Sequence, residues 1–254
     1  MNRLAAVIIA FNEEQNIGRC LASLQGIADE IVLVDSHSTD RTAEISAGFG
    51  CRILQRAFTN YSEQKQFAVD SASCDWVFSI DADEEVTPGL KAEICNLMKM
   101  ETIPLNGYYI RRDLVYLGRH MRFGETGNER ILRIFNRKFA RFNGAVVHEK
   151  VELEGPAGIL KGKLLHFSYR DLPHQMEKIS GYAARAGEAL AASGKHYPGF
   201  WPFLKFKSTF ITYYIIKGGF LDGYPGFMWA LMRGMYASMK IARAIEINKT
   251  ARHA

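Results

Sequence analysis

Two aspartates one residue apart, Asp81 and Asp83, follow the apolar run Trp76-Val77-Phe78-Ser79-Ile80 and lead into Glu84 and Glu85. The run reads as a buried strand of a parallel sheet. The carboxyl ends of such strands are where open α/β sheets bind ligands. Carboxylates are hard oxygen donors that suit Mg²⁺ or Mn²⁺. Two of them at i and i+2 on a strand end can share a divalent ion and a diphosphate, and that ion would neutralise a departing phosphate. The chemistry indicated is transfer from a nucleotide. Taken alone, the acidic stretch is better read as capping the helix that Pro88 opens over Pro88 to Met98. The surrounding elements shift that balance.

Strands are expected at Leu4–Ala10, Glu30–Val34, Cys51–Leu54 and Asp75–Ile80, with helices at Glu14–Gln25, Asp40–Phe49 and Ser62–Ser71. This alternation predicts an α/β fold with a mostly parallel central sheet flanked by helices. No Gly-x-Gly-x-x-Gly follows the first strand, which disfavours a dehydrogenase-type dinucleotide site. After Pro104 the texture changes to short strands at Gly107–Arg112, Arg130–Phe135, Arg141–Phe142, Val146–Leu153 and Leu164–Ser168, then a helix over Asp171–Ser193. The sheet is expected to become mixed there and to carry an acceptor site.

Three loops close strands on one edge of the parallel sheet: Phe11-Asn12-Glu13-Glu14, Asp35-Ser36-His37-Ser38-Thr39-Asp40, and Asp81-Ala82-Asp83. They can converge on one ligand. Ser38, Thr39 and Asp40 are explained by helix capping. Asp35 is not, and its place at a strand end suits a base N–H or a ribose hydroxyl.

These three segments, in this order and spacing, resemble the family 2 glycosyltransferases of the GT-A fold. Ala-Phe-Asn-Glu-Glu is similar to that family's Tyr-Asn-Glu opening, Val-Asp-Ser-His-Ser-Thr-Asp to its Val-Asp-(Gly/Ser)-x-Ser-x-Asp signature, and Ile-Asp-Ala-Asp-Glu to its Asp-x-Asp. The resemblance implies that Phe11, Asn12, Glu13 and Asp35 hold the nucleoside, Asp81 the ribose or metal, and Asp83 a Mn²⁺ or Mg²⁺ at the diphosphate. It also implies a phosphate role for Lys65, for which a solvated helix charge is an equal alternative. Glu129-Arg130-Ile131-Leu132-Arg133-Ile134-Phe135, Gly144-Ala145-Val146-Val147-His148-Glu149-Lys150-Val151 and Leu165-His166-Phe167-Ser168-Tyr169-Arg170 resemble the small bacterial lipopolysaccharide-core members. The segment Phe123-Gly124-Glu125-Thr126-Gly127-Asn128 departs from them in being poor in aromatics, which leaves the acceptor open.

Inverting transfer needs a base for the acceptor hydroxyl proton and positive charge on the departing diphosphate. Glu149 is the candidate base, with His148 orienting it or touching the diphosphate. His166 is a candidate third metal ligand beside Asp81 and Asp83, with a hydrogen-bonded core histidine as the equal alternative. Arg130 and Arg133, alternating with Ile131 and Ile134, read as the solvated side of a half-exposed strand, with phosphate binding by either as the lesser alternative.

Composition sets the remaining bounds. The 254 residues are 48% hydrophobic, enough for one large domain and an appendage, and carry a net charge of +5. From Phe200 onward eight Lys/Arg face only Asp222 and Glu246, so the basicity belongs to the C-terminal tail and not to a nucleic-acid-binding core. Cys20, Cys51, Cys74 and Cys95 form no Cys-x-x-Cys pair and read as buried thiols of a reducing cytosol. No signal peptide opens the chain, and no stretch nears the roughly 20 apolar residues of a membrane span. The expected division is 1–195 as the glycosyltransferase domain, with a nucleotide half to 103 and an acceptor half from 104, and 196–254 as a basic, aromatic helical tail. In that tail Phe227, Leu231, Met235, Met239 and Ala242 are expected to share one helix face.

The reading is a metal-dependent, inverting hexosyltransferase using a nucleotide-sugar, taken as a UDP-sugar, and a lipid-linked glycan acceptor. It is placed in the cytoplasm at the inner face of the cytoplasmic membrane, the tail meeting anionic lipid or a second subunit. A sugar-phosphate nucleotidyltransferase is the rival enzyme, but it would want a Gly-rich basic loop where Ala10-Phe11-Asn12-Glu13-Glu14 is acidic. A non-catalytic nucleotide-sugar-binding membrane scaffold would not need His148-Glu149.

Overall fold

The computed structural model describes residues 2–124, 129–145 and 149–250. In chain order the elements are β1 (Leu4–Ala10), α1 (Ile17–Leu24), β2 (Glu30–Asp35), α2 (Thr42–Gly48), β3 (Arg52–Gln55), α3 (Tyr61–Ser71), β4 (Trp76–Ser79), β5 (Glu84–Val86), α4 (Pro88–Lys99), β6 (Gly107–Tyr116), β7 (Arg119–His120), β8 (Glu129–Asn136), β9 (Ala140–Phe142), β10 (Val151–Leu153), β11 (Ala157–His166), α5 (Leu172–Ala192), α6 (Trp201–Ile211) and α7 (Tyr224–Thr250). A π-helical turn (Thr212–Ile216) and a 3₁₀ turn (Gly219–Asp222) join α6 to α7. His148 and the loop residues Glu125–Asn128 lie outside the described residues, as do Val146 and Val147 of the expected strand Val146–Leu153.

The main sheet runs β3-β2-β1-β4-β8-β6-β11-β5. Its first four strands are parallel, as the β-α alternation predicts, and β8 then joins β4 antiparallel. β1 is central and buried on both faces, which its unbroken apolar run requires. Leu4, Ala6, Ile8 and Ala10 point to one face, against Ile17, Leu21 and Leu24 of α1 and Leu90, Ile94 and Leu97 of α4. Ala5 and Val7 point to the other, against Ala68 and Val69 of α3. Burying a Leu or Ile side chain contributes about 1.5–3 kcal/mol, so this three-layer packing is what holds the strand ends in place.

One strand was not expected. Glu84–Val86, at the end of the acidic stretch, forms β5 and pairs antiparallel with β11, His166 lying opposite Glu84. Three acidic and branched residues carry too little periodicity to announce a strand. The consequence is chemical. The acidic residues do not cap α4, because Thr87 does so, its hydroxyl accepting from the Leu90 N–H. The pairing also brings α4 hard against β11, where a Cβ at Gly162 would lie 2.5 Å from the Leu90 backbone nitrogen.

The chain divides into two compact units, Met1–Asp113 with Asn128–Phe167, and Leu114–Gly127 with Ser168–Ala254. The boundary expected at 195/196 therefore falls inside the second unit, between α5 and α6. In that unit α7 packs on α5 and α6. Of the expected stripe, Leu231, Met235 and Met239 are half-buried against that unit's core. Gly226, Met228, Ala230, Met232, Gly234, Ala237, Ile241 and Ala244 are buried, while Phe227 and Ala242 are exposed. Small residues let the neighbouring helices approach closely: a Cβ at Gly234 would meet Phe206 at 3.0 Å. A stripe chosen for large apolar side chains misses such a contact. Among the described residues no helix is long and apolar enough to cross a membrane.

Gly162→Ala is expected to lower stability by roughly 2–3 kcal/mol, since overpacking against backbone cannot relax by a rotamer change. Gly89→Ala, whose Cβ would meet nothing within 4 Å, serves as the control. Urea unfolding of the two variants checks this.

Candidate active site

The first two loops are laced to each other. Asn12 adopts a left-handed backbone conformation (φ 55°), which Asn tolerates better than most residues. Its N–H donates to Ser38 Oγ (2.9 Å), and its Oδ1 accepts from the Thr39 N–H (2.8 Å). The Glu13 N–H donates to Thr42 Oγ1 (2.8 Å), and the Glu14 N–H to Asp40 Oδ2 (3.0 Å). Asp35 is fully buried. Its Oδ2 accepts from the Ser38 N–H (3.0 Å) and Gln55 Nε2 (2.8 Å), and Ser38 Oγ donates to Oδ1. Asn12, Glu13 and Asp35 thus belong to one hydrogen-bonded pair of loops, which Asp35 braces from within. Phe11 stands 57% exposed at the tip, a free ring face at the strand end.

The acidic turn is built on a second network. Glu84 is completely buried and accepts the Asp81 N–H on Oε2 (3.0 Å). Its Oε1 lies 2.6 Å from Arg133 Nη2 and 3.5 Å from Arg112 Nη1. Arg133 Nη2 also meets Asp81 Oδ2 at 2.6 Å, and Lys65 Nζ meets Asp81 Oδ1 at 3.0 Å and Glu149 Oε1 at 3.5 Å. Burial pushes the Asp81 carboxyl up, but Arg133 and Lys65 outweigh burial and hold it well below the usual carboxylate range. Burial likewise opposes the Arg133 charge, and Asp81 with Glu84 more than reverses that.

Arg133 is the correction the structure makes to the sequence. It is only 4% exposed, not part of a solvated face. Tyr108 pairs with Ile134 and the next residue, Tyr109, with Leu132, so Arg133 is the extra residue of a β-bulge in β8. A bulge re-aims a side chain that alternation would send outward. Here it turns the guanidinium onto Asp81 and Glu84. Glu84 carries no local signal of its own, because Asp81 and Asp83 beside it complete the motif. Lys65 is buried as well, so the alternative of a solvated helix charge does not hold.

Asp83 takes a different partner. His166 Nε2 lies 3.3 Å from Asp83 Oδ2, and the Phe167 N–H donates to the Asp83 carbonyl (2.9 Å). The structure therefore brings together Asp83 and His166 of the expected metal set, while Asp81 sits on Lys65 and Arg133. Among the described residues no three His, Cys, Asp or Glu side chains gather as a ready metal cage.

Lys65, Asp81, Arg133 and Glu149 line one cavity of about 410 Å³, with Tyr109, Arg112, Arg130, Lys150 and the apolar side chains of Ile131, Leu132, Phe142 and Val151. Phe11, Asn12, Glu13 and Asp35 do not line it. The cavity is thus formed by the acidic turn, α3, β6, β8, β9 and the entry to β10. A carboxylate, Glu149, faces it beside the Lys65 ammonium.

Comparison with known proteins gives the family. The family model Glycosyl transferase family 2 matches residues 5–150. The lipopolysaccharide core biosynthesis glycosyltransferase LpsC of Rhizobium meliloti (strain 1021) is 32% identical over 248 residues, covering 94% of this chain and 91% of that protein. Glycosyltransferase RT0209 of Rickettsia typhi is 26% identical over 263 residues, covering 100% of this chain and 90% of its own. Among solved structures, glucosyl-3-phosphoglycerate synthase from Mycobacterium tuberculosis with Mn²⁺ and UDP-glucose matches 45% of this chain and 44% of that one, at 21% identity and a TM-score of 0.37. The chain belongs to glycosyl transferase family 2, and its α/β sheet flanked by helices is the GT-A architecture expected of that family.

Arg133→Met would leave Glu84 buried without its nearest cation and is expected to cost about 3–5 kcal/mol. Adding Glu84→Gln should recover part of that loss, because the neutral amide removes the stranded charge. A double-mutant cycle in urea reads the coupling; additive losses would show that the pair is not coupled.

Proposed function

We propose that this protein is an inverting, metal-dependent glycosyltransferase that moves a hexose from a UDP-sugar to a lipid-linked glycan of the lipopolysaccharide-core type. The observation that carries the reading is the single line of charge Glu149–Lys65–Asp81–Arg133 along one cavity wall. A carboxylate that could serve as base stands there beside fixed cations, and transfer from a nucleotide-sugar requires both kinds of charge. The likeness to LpsC supports the acceptor class.

In this reading Phe11 stacks on the base of the donor, with Asn12, Glu13 and the buried Asp35 holding the loop that frames it. Glu149 takes the proton from the acceptor hydroxyl as it attacks the anomeric carbon from the face opposite the diphosphate, which is why the product is inverted. His148, the residue before it in sequence, is proposed to orient Glu149 or to touch the diphosphate. Lys65 stabilises the charge that develops on the departing diphosphate, while Arg133 holds Asp81 in place. Asp81 places both cations; it is also the residue nearest to a ribose or metal role by motif. Asp83 and His166 would hold the divalent ion. A carboxylate oxygen and an imidazole nitrogen suit Mn²⁺ or Mg²⁺, with Mn²⁺ favoured by the imidazole. When bound, the ion would supply further positive charge to the diphosphate.

The tail supports a membrane-surface location. α6 buries none of its residues, and Phe203 (63%) and Ile216 (74%) are among its and its neighbours' most exposed side chains. Lys205, Lys207 and Lys217 stand in the same stretch. Rings at headgroup level with lysines on anionic lipid match an interfacial element.

The UDP arm is tested by thermal melting with UDP-sugars and Mn²⁺. Ligand that binds only the native state raises the melting temperature, so a UDP-sugar shift that grows with Mn²⁺ and falls away in Asp83→Ala is expected. A shift only with nucleoside triphosphates would favour the nucleotidyltransferase. Glu149→Gln should lower kcat by about 10²–10⁴-fold with donor affinity unchanged; a wild-type rate would remove Glu149 as the base. Phe203→Ser with Ile216→Ser should release the protein from vesicles containing anionic lipid. Unchanged vesicle binding would refute the membrane role, and loss of a dimer in sedimentation would assign the patch to a second copy.

A further inference from the structure

The cavity holds more positive charge than its own carboxylates balance. Five cations line it, Lys65, Arg112, Arg130, Arg133 and Lys150, against Asp81 and Glu149. Lys65 is spent on Asp81 and Glu149, Arg133 on Asp81 and Glu84, and Arg112 reaches Glu84. Arg130 and Lys150 make no ion pair among the described residues. Their backbones are nevertheless fixed. Arg130 sits in β8 opposite Arg111, and Lys150 is held by Asn143, whose N–H donates to its carbonyl (3.0 Å) and whose Oδ1 accepts its N–H (3.2 Å).

A second observation points the same way. Arg133 is among the lining residues, and its Nε is buried without a hydrogen-bond partner. A buried N–H donor without an acceptor is costly, and native structures keep few of them. An anion entering between Arg130, Lys150 and Arg133 would offer acceptor oxygens where there are none now. The apolar wall of Ile131, Leu132, Phe142 and Val151 excludes water from one side and so strengthens each such contact.

The donor's diphosphate is one candidate for that anion, but the placement argues against it. Arg130 and Lys150 belong to β8 and to the entry of β10, flanking Glu149, and none of the first-loop residues Phe11, Asn12, Glu13 and Asp35 lines the cavity. We propose that the acceptor sugar itself carries an anionic group, a phosphate or a carboxylate, which Arg130, Lys150 and Arg133 bind while its hydroxyl meets Glu149. This deepens the glycosyltransferase reading and rests on Glu149 being the base. Acceptor choice would then follow from charge: a neutral sugar leaves the two unpaired cations and the Arg133 N–H unsatisfied.

Binding of hexose 6-phosphate, hexuronate and the neutral hexose to the full-length protein, measured by calorimetry at low salt with saturating UDP and again without it, tests the proposal. The expected result is that at least one anionic sugar binds more than about tenfold tighter than the neutral one, which is roughly 1.4 kcal/mol. Which of the two wins separates phosphate from carboxylate. Arg130→Gln with Lys150→Gln, both at exposed positions, should erase that preference and leave UDP affinity within about twofold, with an unchanged melting temperature confirming the fold. Equal binding of charged and neutral sugars to the wild-type protein would overturn the proposal. So would a large loss of UDP affinity in the double variant, which would assign both cations to the diphosphate. Absence of UDP binding to the wild-type protein is a different failure: it would undo the donor reading, while the sugar comparison made without UDP still decides this one.

Discussion

The site depends on one fully buried carboxylate. Glu84 receives the Asp81 N–H on one oxygen and Arg133, with Arg112 more distant, on the other. An ionised carboxylate in such a place is tolerated only when it is paired and hydrogen-bonded on both oxygens. The demand works outward. Arg133 must turn inward to satisfy Glu84, and once there it also holds Asp81. Asp81 then fixes Lys65, which is the neighbour of Glu149. The positions of the motif aspartate, the basic residue and the candidate base are therefore one electrostatic problem with a single solution. Such networks are weak evidence for stability, since apolar replacements can be as stable. Their better-supported use is to enforce one arrangement among several.

The backbone makes that solution possible with a bulge and a three-residue strand. Pairing β5 with β11 sets His166 across from Glu84 and brings it to 3.3 Å from Asp83. The two motif aspartates thereby acquire different surroundings, Asp81 among cations and Asp83 beside an imidazole. Identical side chains two residues apart can do different work for that reason. The loops after β1 and β2 are organised separately, by side chains capping each other's backbone N–H groups. The rigid parallel strands beneath hold both sets in place.

Much of the first half was legible in the chain. Leu4–Ala10 is found with the expected bounds, and the other early strands and helices differ by a few residues at their ends. Those elements are periodic, and periodicity is a local property that survives without knowledge of partners. The motif segments were legible for the same reason, because each is contiguous. Arg133 was misread because alternation assumes an unbroken register, and the register breaks at that residue. The close contacts of α7 were not legible, because glycine and alanine mark them by smallness, which the pattern of large apolar side chains does not carry.

By itself the sequence determined the α/β order, the three acidic loop segments and the family they belong to, since all of these are written in short stretches of neighbouring residues. Tertiary structure alone decided which charges meet. Asp81 and Arg133 are 52 residues apart, and Lys65 and Glu149 are 84 apart. Nothing local selects those pairings over others the composition allows. They are chosen by the strand order that places β4 beside β8, by the bulge that turns one arginine inward, and by the cost of leaving Glu84 buried without a cation.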